Sequence, residues 1–301
     1  MNAPDKPKAR PFDRTTQDMG NLVLLEHFNM IHTDQRLATL FYVVGLGGTR
    51  DPYLFVGLDN MWVNFGRTQA HLPSRGDKKE PEVLRGTIGI VVPDLEALKK
   101  RLEFAGREMK RVVPDVPNKF GFVEKQDCIE ATCPWGNRFR LHAPSERFPR
   151  TDLGVVYVDF DVPPGTAEGI ARFYTQVMRN PSSARDGRAD VPVGRNQHMY
   201  FTETSAPLPQ YDGHHIQVYI ANFSEPYEWL LERGLINMET DQSEWRFQWI
   251  TDPADGRRLF QIEHEVRSTK HWLYNRPLVN RNHAITNMTY APGADAFRGT
   301  Y

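Results

Sequence analysis

Two short runs concentrate side chains capable of chemistry in this 301-residue chain: Gly213-His214-His215-Ile216 and Gln261-Ile262-Glu263-His264-Glu265. Imidazole changes charge near neutral pH and is the commonest nitrogen ligand for a metal, and carboxylates supply hard oxygens. Both runs read as strands. Alternation sends His214 and His215 to opposite faces, whereas Glu263 and Glu265 share one. His27, His71, Asp159 and Arg140 are further candidates. Each has a plain structural alternative: a core imidazole bonded to a backbone carbonyl, a solvated carboxylate, or an arginine in an ion pair. Other features point away from chemistry. Cys128 and Cys133 are not spaced as CxxC and no second pair accompanies them, which rules out a disulfide framework and suggests a cytoplasmic protein with ordinary thiols. Gly47-Gly48 lacks the spacing of a phosphate loop, and RGDKKEPE from Arg75 alternates in sign without aromatics, as a solvated loop does.

The elements that must position these residues recur. Four segments share a strand of alternating apolar residues, a polar turn and an amphipathic helix, starting at Leu25, Arg85, Tyr157 and Gly213. In the second, Ile88, Ile90 and Val92 alternate, Asp94 precedes a helix with Leu95, Leu98, Leu102 and Ala105 at helical spacing, and Gly106 reads as its stop. The first and third share a Phe-Tyr pair, Phe41-Tyr42 and Phe173-Tyr174. Each helix is followed by turn-punctuated alternating stretches that read as antiparallel meanders, with bends at Asp59-Asn60, Gly136-Asn137 and Asp255-Gly256. The expected fold is α+β, four βαβββ modules paired into two domains. Residues 21–144 would form the first and 152–267 the second, with a disordered segment over 1–20 and an irregular tail over 268–301. A hydrophobic content of 40% fits a packed core, and a net charge of −1 argues against nucleic acid or an anionic membrane as partner. The N-terminus has no apolar stretch of the kind a signal peptide carries. The sequence is compatible with a homo-oligomer.

The segments HFNMIHTDQRLATLFY, TIGIVVPDLEALKKRL, CPWGNRFRL, VDFDVPPGTAEGIARFY, HIQVYIANFSEPYEWLLERG and DPADGRRLFQIEHE resemble the vicinal oxygen chelate superfamily of glyoxalase I, bleomycin-resistance proteins and extradiol dioxygenases. The resemblance covers about 21–267. It implies modules closing around a cavity in which a divalent cation chelates two neighbouring substrate oxygens, with ligands on the first and last strands of modules. Carried over, it puts Asp159, His215 and Glu263 at ligand positions in the second half, with Gln261 as alternate last ligand. A one-His, two-carboxylate set suits Fe(II) or Mn(II) and departs from the two-His triad of ring-cleaving dioxygenases. In the first half it puts His27 and His71 near ligand positions, but Thr87 and Arg140, with His142 beyond, where other ligands would stand. An arginine repels a cation, so that half is expected to bind no metal and to contact substrate through His27, His71 and Arg140. Tyr200 and Trp249 would line the cavity. The implied function is a metal-dependent dioxygenase, isomerase or lyase acting on a small oxygenated substrate, aromatic rings included. The alternatives are a non-catalytic, resistance-type binding protein and a metal-free enzyme that uses His and Arg.

Overall fold

The computed structural model describes residues 13, 17–51, 54, 59–74, 80–241, 243–276 and 278. Most of the segment 1–20, of the charged loop after Arg75 and of the tail beyond 276 lies outside the described residues. Four modules follow one another. The first comprises β1 (Leu22–Asn29), α1 (Gln35–Ala38) continuing as a π-helical stretch (Thr39–Gly45), β2 (Thr49–Arg50), β3 (Asn60–Phe65) and β4 (Thr68–Pro73). The second has β5 (Gly86–Val91), α2 (Leu95–Val112), β6 (Gly121–Glu124), β7 (Cys128–Thr132) and β8 (Arg138–His142). The third has β9 (Gly154–Val162), α3 (Ala167–Gln176), β10 (Ser183–Arg185), β11 (Arg188–Val193) and β12 (Gln197–Glu203). The fourth has β13 (His215–Ile220), α4 (Ser224–Leu231), β14 (Ile236–Thr240), β15 (Glu244–Thr251) and β16 (Arg258–Ser268).

The helices form for the reasons the sequence suggests, with one correction. Asp94 caps α2 by accepting from the Ala97 amide at 3.0 Å, and Leu98, Leu102, Ala105 and Met109 are its buried face. Gly106 does not stop this helix, which runs on to Val112. A Cβ there would lie 2.8 Å from the Phe120 ring, so the glycine serves close packing. The repeated pairs Phe41-Tyr42 and Phe173-Tyr174 are fully buried in one core that spans both sheets.

Two eight-stranded sheets result, ordered β14-β15-β16-β13-β1-β4-β3-β2 and β10-β11-β12-β9-β5-β8-β7-β6. Within every module the first and last strands are parallel neighbours, β1 with β4 and β13 with β16 among them. The sheets do not pair module one with two and module three with four, as expected. Module one pairs with module four through antiparallel β1–β13, and module two with module three through β5–β9. Modules one and two, and modules three and four, touch through helix packing instead: α2 packs on the 39–45 stretch, and α3 on β15. All four opening strands carry the same alternation, so the pattern cannot say which edge meets which.

Hairpins of modules one and three lock the sheets together. The Thr68 hydroxyl accepts from the Val155 amide at 2.8 Å, and the Gln197 amide group spans β1 and β9, bonding Leu25 N and O and Val155 O. The bend at Gly66 has φ +61°, and a Cβ there would lie 2.1 Å from the Leu153 carbonyl oxygen. Gly66→Ala combines left-handed strain with a backbone clash and is expected to cost at least about 2 kcal/mol, read as a lower urea midpoint at unchanged slope.

Burial also sets an acid limit. His32 is stacked on Trp135 at 4.8 Å and neither of its ring nitrogens has a hydrogen-bond partner among the described residues. Burial depresses its pKa to about 4, against 6.5. The unfolded chain takes up the proton below pH 6.5 while the folded chain does not, so stability should fall as pH drops from about 6.5 to 4. His32 accounts for up to about 3 kcal/mol of that. Urea titrations at pH 7 and pH 5 measure the loss, and His32→Phe should flatten it.

Candidate metal centre

Four inner strands, β16, β13, β1 and β4, lie side by side and present two polar rows on one face. Register aligns Glu265, Gln217, His27 and Gln69 in the first row, and Glu263, His215, Asn29 and His71 in the second. The first row is deeply buried, with His27 1% exposed. In the second, His215 is 8% exposed, and Glu263 and His71 are half-buried. An irregularity between Leu25 and His27 in the β1–β13 ladder brings His27 onto this face.

Three imidazoles converge here. One potential ligand atom from each of His27, His71 and His215 lies within 4.8 Å of the others, so the group could hold a metal ion. Glu265 adds a carboxylate, with Oε2 3.4 Å from His215 Nε2 and 4.0 Å from His27 Nε2. Neighbours fix how the rings are presented. His27 Nδ1 donates to Glu26 Oε2 at 3.3 Å, which leaves its Nε2 lone pair facing the centre. His71 Nε2 donates to Asn60 Oδ1 at 2.6 Å, and the Asn29 amide contacts the Nδ1 left over. Trp62 stacks on the His71 ring at 3.8 Å and meets His27 edge-on.

The electrostatics suit a cation. Burial pulls the pKa of His27 down, and burial together with the other two imidazoles pulls that of His71 well down, keeping both neutral and able to ligate. Burial alone would raise Glu265, but His215, Arg267, His27 and Arg246 hold it well below the ordinary carboxylate range. Around the rings, Arg267 touches Glu26, Glu244 and Glu265, and Arg246 touches Glu244, Glu263 and Glu265. Four carboxylates against two guanidiniums leave two negative charges. Meanwhile His27 Nε2, His215 Nε2 and both polar atoms of Gln217 are buried without a hydrogen-bond partner among the described residues. Unsatisfied buried polar atoms are costly, and a divalent ion would remove part of that cost and the charge excess together.

The residues singled out in the sequence are divided between the sheets. His27, His71, His215 and Glu263 meet in the first. Glu263 faces His215 Nδ1 at 3.9 Å but is held by Arg246, Gln248 and Asn237. Gln261 bonds Gln248 and lies opposite Trp249 on β15, where Arg258 covers the Trp249 ring. Asp159 belongs to the second sheet, where it accepts from Arg188 at 3.0 Å and Thr202 at 2.7 Å, so it cannot join His215. Arg140 pairs with Glu130 at 3.2 Å, the ion-pair reading, and Tyr200 packs under Arg188 beside His198. Thr87 stands opposite Asp159, and His142 bonds Tyr157 while Phe148 of the linker packs on both. His27 and His71, expected in a metal-free first half, therefore lie beside His215 in one sheet built from modules one and four, where the three could hold a metal ion. Glu26, Arg246 and Arg267 were missed. Their signal is present in the sequence, as acidic and basic residues alternating on strands whose apolar residues face the core, yet a solvated face has the same pattern.

No protein-family model and no curated protein matches the chain. Solved structures do. Glyoxalase I from Zea mays superposes with a TM-score of 0.58 at 12% identity, covering 83% of this chain and 94% of that one. A Bacillus subtilis subsp. subtilis str. 168 protein provisionally assigned as a dioxygenase superposes with a TM-score of 0.55 at 12% identity, covering 83% and 86%. At such identities the likeness is one of fold. The chain has the vicinal oxygen chelate fold, in the form with four modules paired into two sheets.

Proposed function

We propose that this chain is a metal-dependent enzyme of the vicinal oxygen chelate type, acting on a small molecule with two neighbouring oxygens. The carrying observation is the convergence of His27, His71 and His215 beside Glu265, one from each of the four inner strands, with two Nε2 atoms buried and lacking a hydrogen-bond partner among the described residues. These four residues would hold the ion, His71 through the Nδ1 that the Asn29 amide contacts. A bound divalent cation would supply a Lewis acid for adjacent substrate oxygens. Glyoxalase I and the Bacillus protein share the fold, which agrees with this class.

The protein's own groups do the positioning. Glu26 and Asn60 hold the tautomers of His27 and His71, and Arg246 and Arg267 hold the Glu265 carboxylate in place. A chelating substrate would approach over the less buried row of Glu263, His215 and His71. Three nitrogens and one oxygen favour Fe(II), Ni(II) or Zn(II) over Mn(II), which prefers oxygen donors. The lone histidine of the one-His, two-carboxylate set no longer argues against ring cleavage, because the further imidazoles come from module one.

Protein purified without chelator and reloaded under anaerobic conditions with each of these ions should bind one per chain. It should then convert some member of a panel of catechols and α-hydroxyketones, followed by oxygen uptake and absorbance. Failure to bind any of the ions would overturn the metal reading and leave a ligand-binding protein. Metal binding without turnover of any panel member would overturn the proposed substrate class.

A further inference from the structure

Away from the metal centre, a cavity of about 300 Å³ opens where the two sheets meet, at the starts of β1, β4 and β9. Three arginines reach it from separate segments: Arg67 from the β3–β4 bend, Arg150 from the linker before β9, and Arg195 from the β11–β12 bend. Asp152 is the one carboxylate lining it among the described residues. Arg67 donates to Asn275 at 3.3 Å, and Arg150 and Arg195 are exposed. Leu24, Leu153, Val155 and Tyr274 make an apolar wall beside the charges. We propose that this cavity binds a small organic anion, a carboxylate or phosphate monoester carrying a compact apolar body.

Charge, shape and rigidity support the assignment. Arg150 and Arg195 against Asp152 give a local excess of one positive charge among the described residues, with Arg67 beside them bonded to Asn275. Guanidinium forks match the oxygens of carboxylates and phosphates, and the volume is at the small end of ligand sites. The frame is fixed by the contacts that lock the sheets, Gln197 to Leu25 and Val155 and Thr68 to Val155.

Calorimetric titration of chelator-treated protein at low ionic strength tests this, with phenyl phosphate, benzoate, inorganic phosphate and benzyl alcohol as probes. One saturable site is expected for the two aryl anions, with weaker binding of inorganic phosphate and none of benzyl alcohol. The double variant Arg150→Gln/Arg195→Gln should lose at least tenfold in affinity, whereas His215→Ala should bind the aryl anions unchanged. The single variant Arg195→Glu, at an exposed position, should abolish binding with an unaltered melting temperature. No saturable binding of either aryl anion, binding that survives the double variant, or binding lost in His215→Ala would overturn the proposal. Equal affinity for inorganic and phenyl phosphate would overturn the role of the apolar wall. Because these readouts are taken without metal, the metal-centre reading stands or falls separately.

Discussion

His215→Ala is expected to abolish stoichiometric metal binding while leaving the fold in place. Changes in the groups that merely orient ligands typically cost ten- to a hundredfold in metal affinity, so loss of a ligand itself should exceed a hundredfold. The fold should survive because the His215 ring is at the partly open end of the site with Glu265 at 3.4 Å from its Nε2, and an open-sided centre contributes less to folding than a closed one. Equilibrium dialysis with Zn(II) or Fe(II) reads the affinity, and circular dichroism with a urea titration reads the fold. His27→Ala should behave in the same way toward metal. Asp159→Ala is the contrasting variant: Asp159 belongs to the second sheet and bonds Arg188 and Thr202, so metal affinity should be unchanged. Metal loss in Asp159→Ala together with retention in His215→Ala would refute the centre built from modules one and four.

That contrast marks where the sequence stops being legible. The modular repeat could be read because alternation, caps and turn residues are local. Asp94 before an apolar helical stripe, the Phe-Tyr pairs and the bends at Gly136 and Gly256 all stand in the structure where their chemistry suggested. His27, His71 and His215 were also recognisable as candidates, since each opens or closes a module. What could not be read was the joint. The opening strands β1, β5, β9 and β13 present similar edges, and choosing the wrong partner assigned the three imidazoles to different sites and gave His215 the distant Asp159 for company. Glu263 and Glu265 posed the same difficulty on a smaller scale, because they share a face and only register separates them. Glu263 falls opposite His215, but Glu265 lies one row deeper beside His27, where Arg246 and Arg267 orient it. Gly106 misled for another reason: the sequence carries no sign that Phe120 packs against it.

Arg267→Leu should be the most destabilising single change in the chain apart from large core truncations, at about 3–5 kcal/mol, because it removes one partner of a buried charge network. Arg267 is 7% exposed and bonds Glu244 at 3.1 Å while also contacting Glu26 and Glu265. Leucine fills part of the volume but leaves four carboxylates with Arg246 as their remaining cation, a charge of −3. Two consequences separate this account from a simple packing loss. First, without Arg267 the Glu265 carboxyl loses a charge that holds its folded-state pKa down. A carboxyl whose folded pKa rises gains relative stability as pH falls, so the deficit of the variant against wild type should be smaller at pH 5.5 than at pH 7. Second, a divalent ion bound to the imidazoles restores positive charge, so saturating metal should raise the melting temperature of the variant more than that of wild type. Urea titrations at both pH values, with and without Zn(II), read all of this in one series. Adding Glu244→Gln to Arg267→Leu should recover part of the loss, since it removes one of the stranded carboxylates, and the cycle gives the coupling directly. A loss below about 1 kcal/mol for Arg267→Leu, or a deficit independent of pH and metal, would mean that the carboxylates are screened by water and that the charge excess around the three imidazoles does not act on a cation.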